Sequence, residues 1–406
     1  MRTFYTQARV ARWVVLLATL ALLAGCITTG PPPTPTPQNT LRVVPEADWP
    51  LLLDDLDARS FFQAAESSLG YLRKVNPDKQ FTFGPYRMSA AQMAAMLDEL
   101  KDLLYRRPDP VSRSEALQQK YALLESVGRD GRGEVLMTGY YEPMLKARRQ
   151  PQGSFKYPVY AMPEDLVWID LRQFGEQYPA KRLVGQVKGN RVQPYPDREA
   201  IDYKKVIEGK AEVLGYVSDP VEVFFLHIQG SGQLEFEDGA RRRVGYASSN
   251  GQPYRSIGKM LLNKKLMEPG SMSMQGIKAF LEANPQYLRQ VLSHNPSYVF
   301  FRPLPVIGGP LGCFGQPLTG GRSVATDRRL FPGLTLGYIT GTMPATGGGS
   351  EPLARFVFNQ DTGGAIRGPG RLDLFFGSGP QAGELAGRMK NPGKLYFFFP
   401  RELMKR

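Results

Sequence analysis

Between residues 50 and 128 apolar side chains recur at helical spacing. Phe61, Phe62, Ala65 and Leu69 mark one helix. Ser89-Ala90-Ala91-Gln92 has the form of a capping box, in which the Ser hydroxyl and the Gln side chain each bond the other's backbone N–H. Met93, Met96, Leu97, Leu100, Leu103 and Leu104 follow on one face, and Pro108 and Pro110 stop that helix. A third helix is expected from Ser114 through Leu117, Tyr121 and Leu124, with Gly128 suited to the position after its end. After Gly133 the period shortens towards two. Strands are expected over 134–141, 157–162, 185–192 and 221–229, with Gly189-Asn190 a turn and Asp238-Gly239 the tip of a hairpin. Helical patches follow at 254–262, 273–283 and 285–293. From Tyr298 on, the pattern is strand and turn again, at 298–302, 334–339, 355–360, 371–376 and 394–399. The last hundred residues therefore predict a small β-barrel.

Composition supports this texture and narrows the chemistry. The 406 residues include 43 Gly and 34 Pro, about a fifth of the chain against roughly 12% in ordinary usage, which favours turns and short strands. Only 2 Cys and 2 His are present. Counting alone excludes a disulfide framework, a four-cysteine zinc site and a three-histidine metal centre. A Ser-His-Asp triad would have to use His227 or His294. His227 is placed mid-strand, ahead of Gln229-Gly230-Ser231-Gly232, which is not a Gly-x-Ser-x-Gly elbow. No phosphate-binding loop of the Gly-x4-Gly-Lys type occurs, and no cofactor is implied.

The N-terminus has a separate logic. Arg2, Arg9 and Arg12 precede an apolar run from Trp13 to Leu23, shorter than the ~20 residues a spanning helix needs, so the run is expected to be a signal-peptide core. It ends in Leu23-Ala24-Gly25-Cys26, which resembles a bacterial lipobox with Cys26 as the lipidated first residue of the mature chain. Ile27 and Thr28 follow in place of Asp, which under the family rule directs the protein to the outer membrane, facing the periplasm. Five prolines between 31 and 37 predict an extended tether over 26–45. Cleavage after residue 25 removes three Arg and lowers the formal charge from +13 to +10. Nucleic acid is the generic partner of such a charge, but in the periplasm an acidic wall polymer is the expected one. Cys313, then alone, is expected to be a small buried hydrophobe.

Carboxylates remain as candidate catalysts. In Arg371-Leu372-Asp373-Leu374-Phe375-Phe376, strand alternation puts Leu372, Leu374 and Phe376 on the core face and Asp373 beside Arg371 and Phe375 on the other. Two readings stand on patterning alone: an acid whose proton affinity is raised by desolvation, or a surface Asp paired with Arg371. Asp361 ends a strand before Thr362-Gly363-Gly364, either bonding its own turn or serving a site. Asp327, next to Arg328 and Arg329, is a turn or salt-bridge residue or a third site member.

These segments carry a resemblance. Ser323–Asp327 and Asn359–Gly377 resemble the three-aspartate (3D) domain. Met137–Pro143, His227–Gly232, Val244–Ala247 and Pro253–Gly258, in that order and behind a lipobox, are similar to the middle region of the membrane-bound lytic murein transglycosylase A (MltA) family. The resemblance implies an enzyme that cuts the β-1,4 bond between N-acetylmuramic acid and N-acetylglucosamine in peptidoglycan, leaving a 1,6-anhydromuramic end. It implies a mainly β, α+β fold of two domains with a groove between them. Residues 46–143 with 302–406 would form a double-psi β-barrel with the N-terminal helices, and 144–301 an inserted smaller β-rich domain. It maps the catalytic aspartate onto Asp373, a second one onto Asp361 and the third onto Asp327. Tyr140, Tyr141, Gln229, Ser231, Tyr246 and Tyr254 fit sugar platforms and amide or hydroxyl partners by chemistry and motif position, with turn or core packing as the alternative for each. Glycan strands, the outer membrane through the lipid, and cell-wall synthesis proteins are the implied partners. Two rival readings stay open: a non-catalytic wall-binding lipoprotein, and a hydrolase using Asp361 as base.

Overall fold

The computed structural model describes residues 35–306 and 308–405. The expectations for the signal segment and Cys26 lie outside these residues. Among the described residues, no helix is long and apolar enough to cross a membrane.

The chain enters through β1 (Leu41–Val43), helix Ala58–Leu72, the hairpin β2 (Gln80–Phe83) and β3 (Tyr86–Ser89), and helix Ala90–Arg106. The capping box forms as the sequence predicts, Gln92 N–H donating to Ser89 Oγ and Ser89 N–H to Gln92 Oε1. β1 pairs antiparallel with residues 124–126. The third helix is Pro110–Lys120, and β4 (Tyr121–Ser126) follows with no intervening turn. The expected helix through Leu124 is thus cut short. Residues 121–126 are all buried, and a run packed on both faces suits a strand.

Next comes β5 (Val135–Glu142), which leads straight into β6 (Met144–Arg148), β7 (Tyr157–Tyr160), β8 (Leu166–Asp170), β9 (Arg182–Lys188), β10 (Arg191–Pro194) and β11 (Val213–Val217). The expected single strand over 185–192 is a hairpin, β9 and β10 turning at Gly189-Asn190. Residues Pro220–Gln229 form a helix where a strand is expected. Asp219 caps it by accepting from Val221 N–H, Pro220 starts it, and Gly230 ends it in the left-handed region. After it come β12 (Ser231–Glu235) and β13 (Arg241–Ser249), the Asp238-Gly239 hairpin, then three short helices and β14 (Val299–Leu304). The C-terminal part supplies β15 (Ser323–Ala325), β16 (Leu336–Pro344), β17 (Ser350–Asp361), β18 (Arg371–Ser378), helix Pro380–Arg388 and β19 (Lys390–Pro400).

Six strands close into a barrel: β19 pairs β16, then β17, β15, β18 and β5 follow, and β5 pairs back to β19. The barrel is therefore not made by the last hundred residues alone, because β5 lies more than 170 residues before β15. β4 and β1 extend the sheet from β19. The largest core joins Phe61, Leu69, Met93 and Leu97 of the N-terminal helices to Leu372, Leu374, Phe356, Phe358 and Phe397 of the barrel. A separate six-stranded sheet runs β14-β13-β12-β6-β11-β7, with its own core of Leu145, Val159, Leu226, Leu234 and Phe301.

Candidate active site

Strand register assembles the aspartates. Ala325 on β15 is the partner of Asp361 on β17 on one side and of Asp373 on β18 on the other. Directly paired residues point to the same face, so both carboxyls project from one side of the sheet, their Cα atoms two strand steps or about 10 Å apart. Asp373 also pairs with Thr138, and Phe375 with Tyr140. Arg371, Thr138, Asp373, Tyr140 and Phe375 therefore share a face, while Leu372 and Leu374 are fully buried on the opposite one.

Asp361 is held from two sides. Its Oδ2 accepts from the Tyr140 hydroxyl at 2.9 Å and its Oδ1 from the Cys313 N–H at 3.0 Å. Burial raises its pKa to about 6, against the pull of those donors and Arg328. The preceding residues are locked: Gln360 donates to Ala64 O and Ser68 Oγ, and Asn359 to Pro332 O. Burial also pushes the Cys313 thiol up to about 12, so it stays protonated.

Asp373 is held loosely by comparison. Its Oδ1 is buried without a hydrogen bond, although the side chain is 22% exposed overall. The Arg371 guanidinium lies 3.6 Å away and donates instead to Thr138 Oγ1 at 3.2 Å. Burial raises the Asp373 pKa to about 6; Arg371 opposes the rise and Asp361 adds to it. The Arg371 contact is present, but burial outweighs it.

Asp327 faces elsewhere. Its side chain is sealed, with Arg329 donating to both oxygens and Gly368 N–H to Oδ2. Although burial acts to raise it, these donors hold its pKa at about 2. The bond to Gly368 ties down the loop between Asp361 and Asp373.

The remaining candidates separate into two groups. The Tyr140 ring packs tilted against Phe375, centroids 5.2 Å apart, and belongs with the aspartates. Tyr141, half-buried, presses its ring against Gly383 of helix Pro380–Arg388, and its N–H donates to Gln229 Oε1 at 3.1 Å. Gln229 thus joins the second sheet's helix to β5. Ser231 opens β12 opposite Gly245, one residue from Tyr246, which is 53% exposed. Tyr254 is 45% exposed ahead of helix Ile257–Asn263. No hydrogen bond joins Tyr246 or Tyr254 to the aspartates among the described residues. His227 lies on a helix and not mid-strand: its Nδ1 meets Arg198 at 3.0 Å, and burial beside that cation holds its pKa well below the usual range. It is a neutral packing residue.

Sequence reasoning missed Thr138, the Cys313 amide and Glu142. Glu142 carried a signal, a carboxylate closing an apolar strand before Pro143.

Residues 136–302 match the MltA specific insert domain family and residues 322–398 the 3D domain family. The chain is 30% identical over 388 residues to the membrane-bound lytic murein transglycosylase A of Vibrio cholerae, covering 94% of this chain and 92% of that one. It is 35% identical over 277 residues to the Escherichia coli K12 protein of the same name, covering 66% and 67%. Among solved structures, a membrane-bound lytic murein transglycosylase from Agrobacterium tumefaciens matches with a TM-score of 0.74 at 31% identity, covering 90% of this chain and 99% of that one. E. coli MltA with bound chitohexaose matches with a TM-score of 0.69 at 25% identity, covering 89% and 94%. With insert and aspartate-bearing barrel matched in order, and a relative matched along nearly its whole length, the chain belongs to the membrane-bound lytic murein transglycosylase A family.

Proposed function

We propose that this enzyme cleaves the β-1,4 bond between N-acetylmuramic acid and N-acetylglucosamine in peptidoglycan and leaves a 1,6-anhydromuramic end, with Asp373 as acid and then base. One observation carries the reading: Asp373 alone of the three aspartates has a carboxyl oxygen free of hydrogen bonds, at a pKa of about 6. Such a group keeps about a tenth of its population protonated at pH 7 and is a competent acid and, once ionised, a competent base.

The proton on Asp373 moves to the glycosidic oxygen as the bond from C1 to that oxygen breaks. The C6 hydroxyl oxygen of the same muramic residue bonds to C1, and its proton goes to the Asp373 carboxylate. Atoms and charge balance without water. The nucleophile is already tethered to the reacting sugar, and intramolecular attack of this kind reaches effective molarities of about 10⁵–10⁸ M. One carboxyl then does the work that glycosidases divide between two. Asp361, anchored by Tyr140 and Cys313, acts on Asp373 through its charge. Asp327 acts through the loop it holds. Tyr140, Tyr141, Gln229, Ser231, Tyr246 and Tyr254 are proposed to line the glycan path, Gln229 by fixing Tyr141.

The same reading divides the chain into a double-psi barrel domain of 46–143 with 302–406 and an insert of 144–301, with glycan in a groove between them. E. coli MltA with bound chitohexaose supports a β-1,4 glycan as ligand. Lipidation at Cys26, anchoring in the outer membrane facing the periplasm, and contact with wall-synthesis proteins complete the proposal, supported by the lipobox and by relatives named membrane-bound.

A second reading has one observation in its favour. Asp361 and Asp373 project from one side of the sheet, and hydrolases use such a pair of carboxyls, one as acid and one as the base that activates water. Against it, both Asp361 oxygens already accept hydrogen bonds, which leaves a poor base. The test is release of soluble fragments from purified sacculi by wild type and Asp373→Asn. Loss of release with retained pelleting on sacculi supports the assignment; full release by the variant refutes it.

A further inference from the structure

Glu142, the last residue of β5, is fully buried and receives four hydrogen bonds. Its Oε1 accepts from Arg243 Nε at 2.7 Å. Its Oε2 accepts from Ser378 Oγ at 2.6 Å, Gln233 Nε2 at 2.8 Å and Arg243 Nη2 at 3.3 Å. The Glu142 carbonyl accepts from Gly379 N–H, and the Pro143 carbonyl from Gln233 N–H. Arg243 reaches on to the carbonyls of Pro305 and Val306.

These partners come from distinct places. Ser378 ends β18, the strand that carries Asp373. Gln233 and Arg243 belong to β12 and β13 of the second sheet. The chain leaves the barrel sheet at Glu142–Met144 and comes back past Leu304–Val306, so both crossings are bound to one buried ion pair. On its own strand, Glu142 is two residues from Tyr140, which holds Asp361, and next to Tyr141, which Gln229 holds. Apolar residues of similar shape would fill such a site without the desolvation cost of two charges. A carboxylate with both oxygens engaged by donors from three residues instead fixes direction, which packing alone does not.

We infer that Glu142 is a positioning residue: through Arg243, Gln233 and Ser378 it sets the Asp373 strand in register with the Tyr140–Tyr141 and Gln229–Ser231 segments. The inference rests on Asp373 being the acid. Glu142 has no exposed surface and does not touch the polymer.

The experiment uses the full-length chain in detergent, with soluble glycan strands as substrate, and compares wild type, Asp373→Asn, Glu142→Gln, Arg243→Lys and the double variant Glu142→Gln/Arg243→Gln. Rates against substrate concentration, Tm and the pH profile are read for each. Glu142→Gln is expected to lower kcat/KM about 10- to 100-fold, the scale of misplacing groups by about 1 Å, with KM rising as kcat falls. The Asp373 inflection near pH 6 is expected to stay in place. The double variant, which no longer buries an uncompensated charge, regains Tm but not kcat/KM. A double variant with wild-type Tm and wild-type kcat/KM would overturn the inference. If it fails to regain Tm, Arg243→Lys decides, because full kcat/KM at wild-type Tm there overturns it equally. Full activity in Asp373→Asn would instead bring down the parent reading and this inference with it.

Discussion

Replacing Asp373 with Asn should abolish catalysis and stabilise the protein, and the second effect can be sized from the structure. The carboxyl's pKa rises from an ordinary 3.8 to about 6 because folding buries it beside Phe375 and Tyr140, with Arg371 offsetting only part of the cost. At 1.36 kcal/mol per pKa unit, the ionised form costs the native state about 3 kcal/mol. The sign follows from linkage. The native state binds this proton more tightly than the unfolded chain, so stability from this group is fully present below pH 3.8. It is lost as pH rises through about 6. Asn has the same shape and no charge. Arg371 keeps its bond to Thr138 and some solvent contact, so it is not stranded. Asp373→Asn should therefore be more stable than wild type by up to about 3 kcal/mol at pH 7.5, and nearly equal to it at pH 4. For a chain of this size that is a Tm gain of at most about 4 °C. Urea and thermal unfolding at both pH values check it. A variant no more stable at pH 7.5, or equally stabilised at both, would refute the claim that the Asp373 carboxyl is held ionised at a cost.

Three further outcomes follow from the same geometry. Arg371→Gln removes the cation that lowers the Asp373 pKa, so the inflection assigned to Asp373 in the pH–rate profile should move above 6; an unmoved inflection contradicts the role of Arg371. Asp361→Asn removes a neighbouring negative charge, so that inflection should move down, with activity reduced but measurable above the Asp373→Asn background. Asp327→Asn should destabilise the fold at pH 7 by about 1–3 kcal/mol through loss of the Arg329 and Gly368 bonds. Because its native pKa is depressed to about 2, that contribution is present above the ordinary 3.8 and fades as pH falls through 2, which acid unfolding of the two proteins should show.

The parts of this account visible in the sequence are those fixed by local geometry. Alternation in Leu372-Asp373-Leu374 was enough to aim Asp373 away from the core. The Ser89–Gln92 box and the Met93–Leu100 stripe located a helix and its buried face. Local signals misled where they conflicted. Val221–Ile228 is a dense apolar run that suits a buried strand, and only Asp219-Pro220 and Gly230 at its ends betray a helix. Tyr121 and Leu124 continue the spacing of Leu117, yet packing on both faces draws them into β4. Contacts between distant segments were beyond reach of pattern. The barrel closes through β5 and β19, some 250 residues apart, and Glu142 takes its donors from residues 91, 101 and 236 positions away. The pairing of Asp361 and Asp373 around Ala325 is of the same kind. Resemblance supplied the order of the aspartates; the structure shows why they differ, one carboxyl with a free oxygen, one anchored by two donors and one sealed in a loop.

The central claim is that a single carboxyl suffices because the sugar's own hydroxyl replaces water. Digestion of purified peptidoglycan in heavy-oxygen water, followed by mass analysis of the released ends, tests it most directly. Ends lighter by one water than a reducing sugar and free of the heavy label are expected. Labelled reducing ends would contradict it and identify the enzyme as a hydrolase.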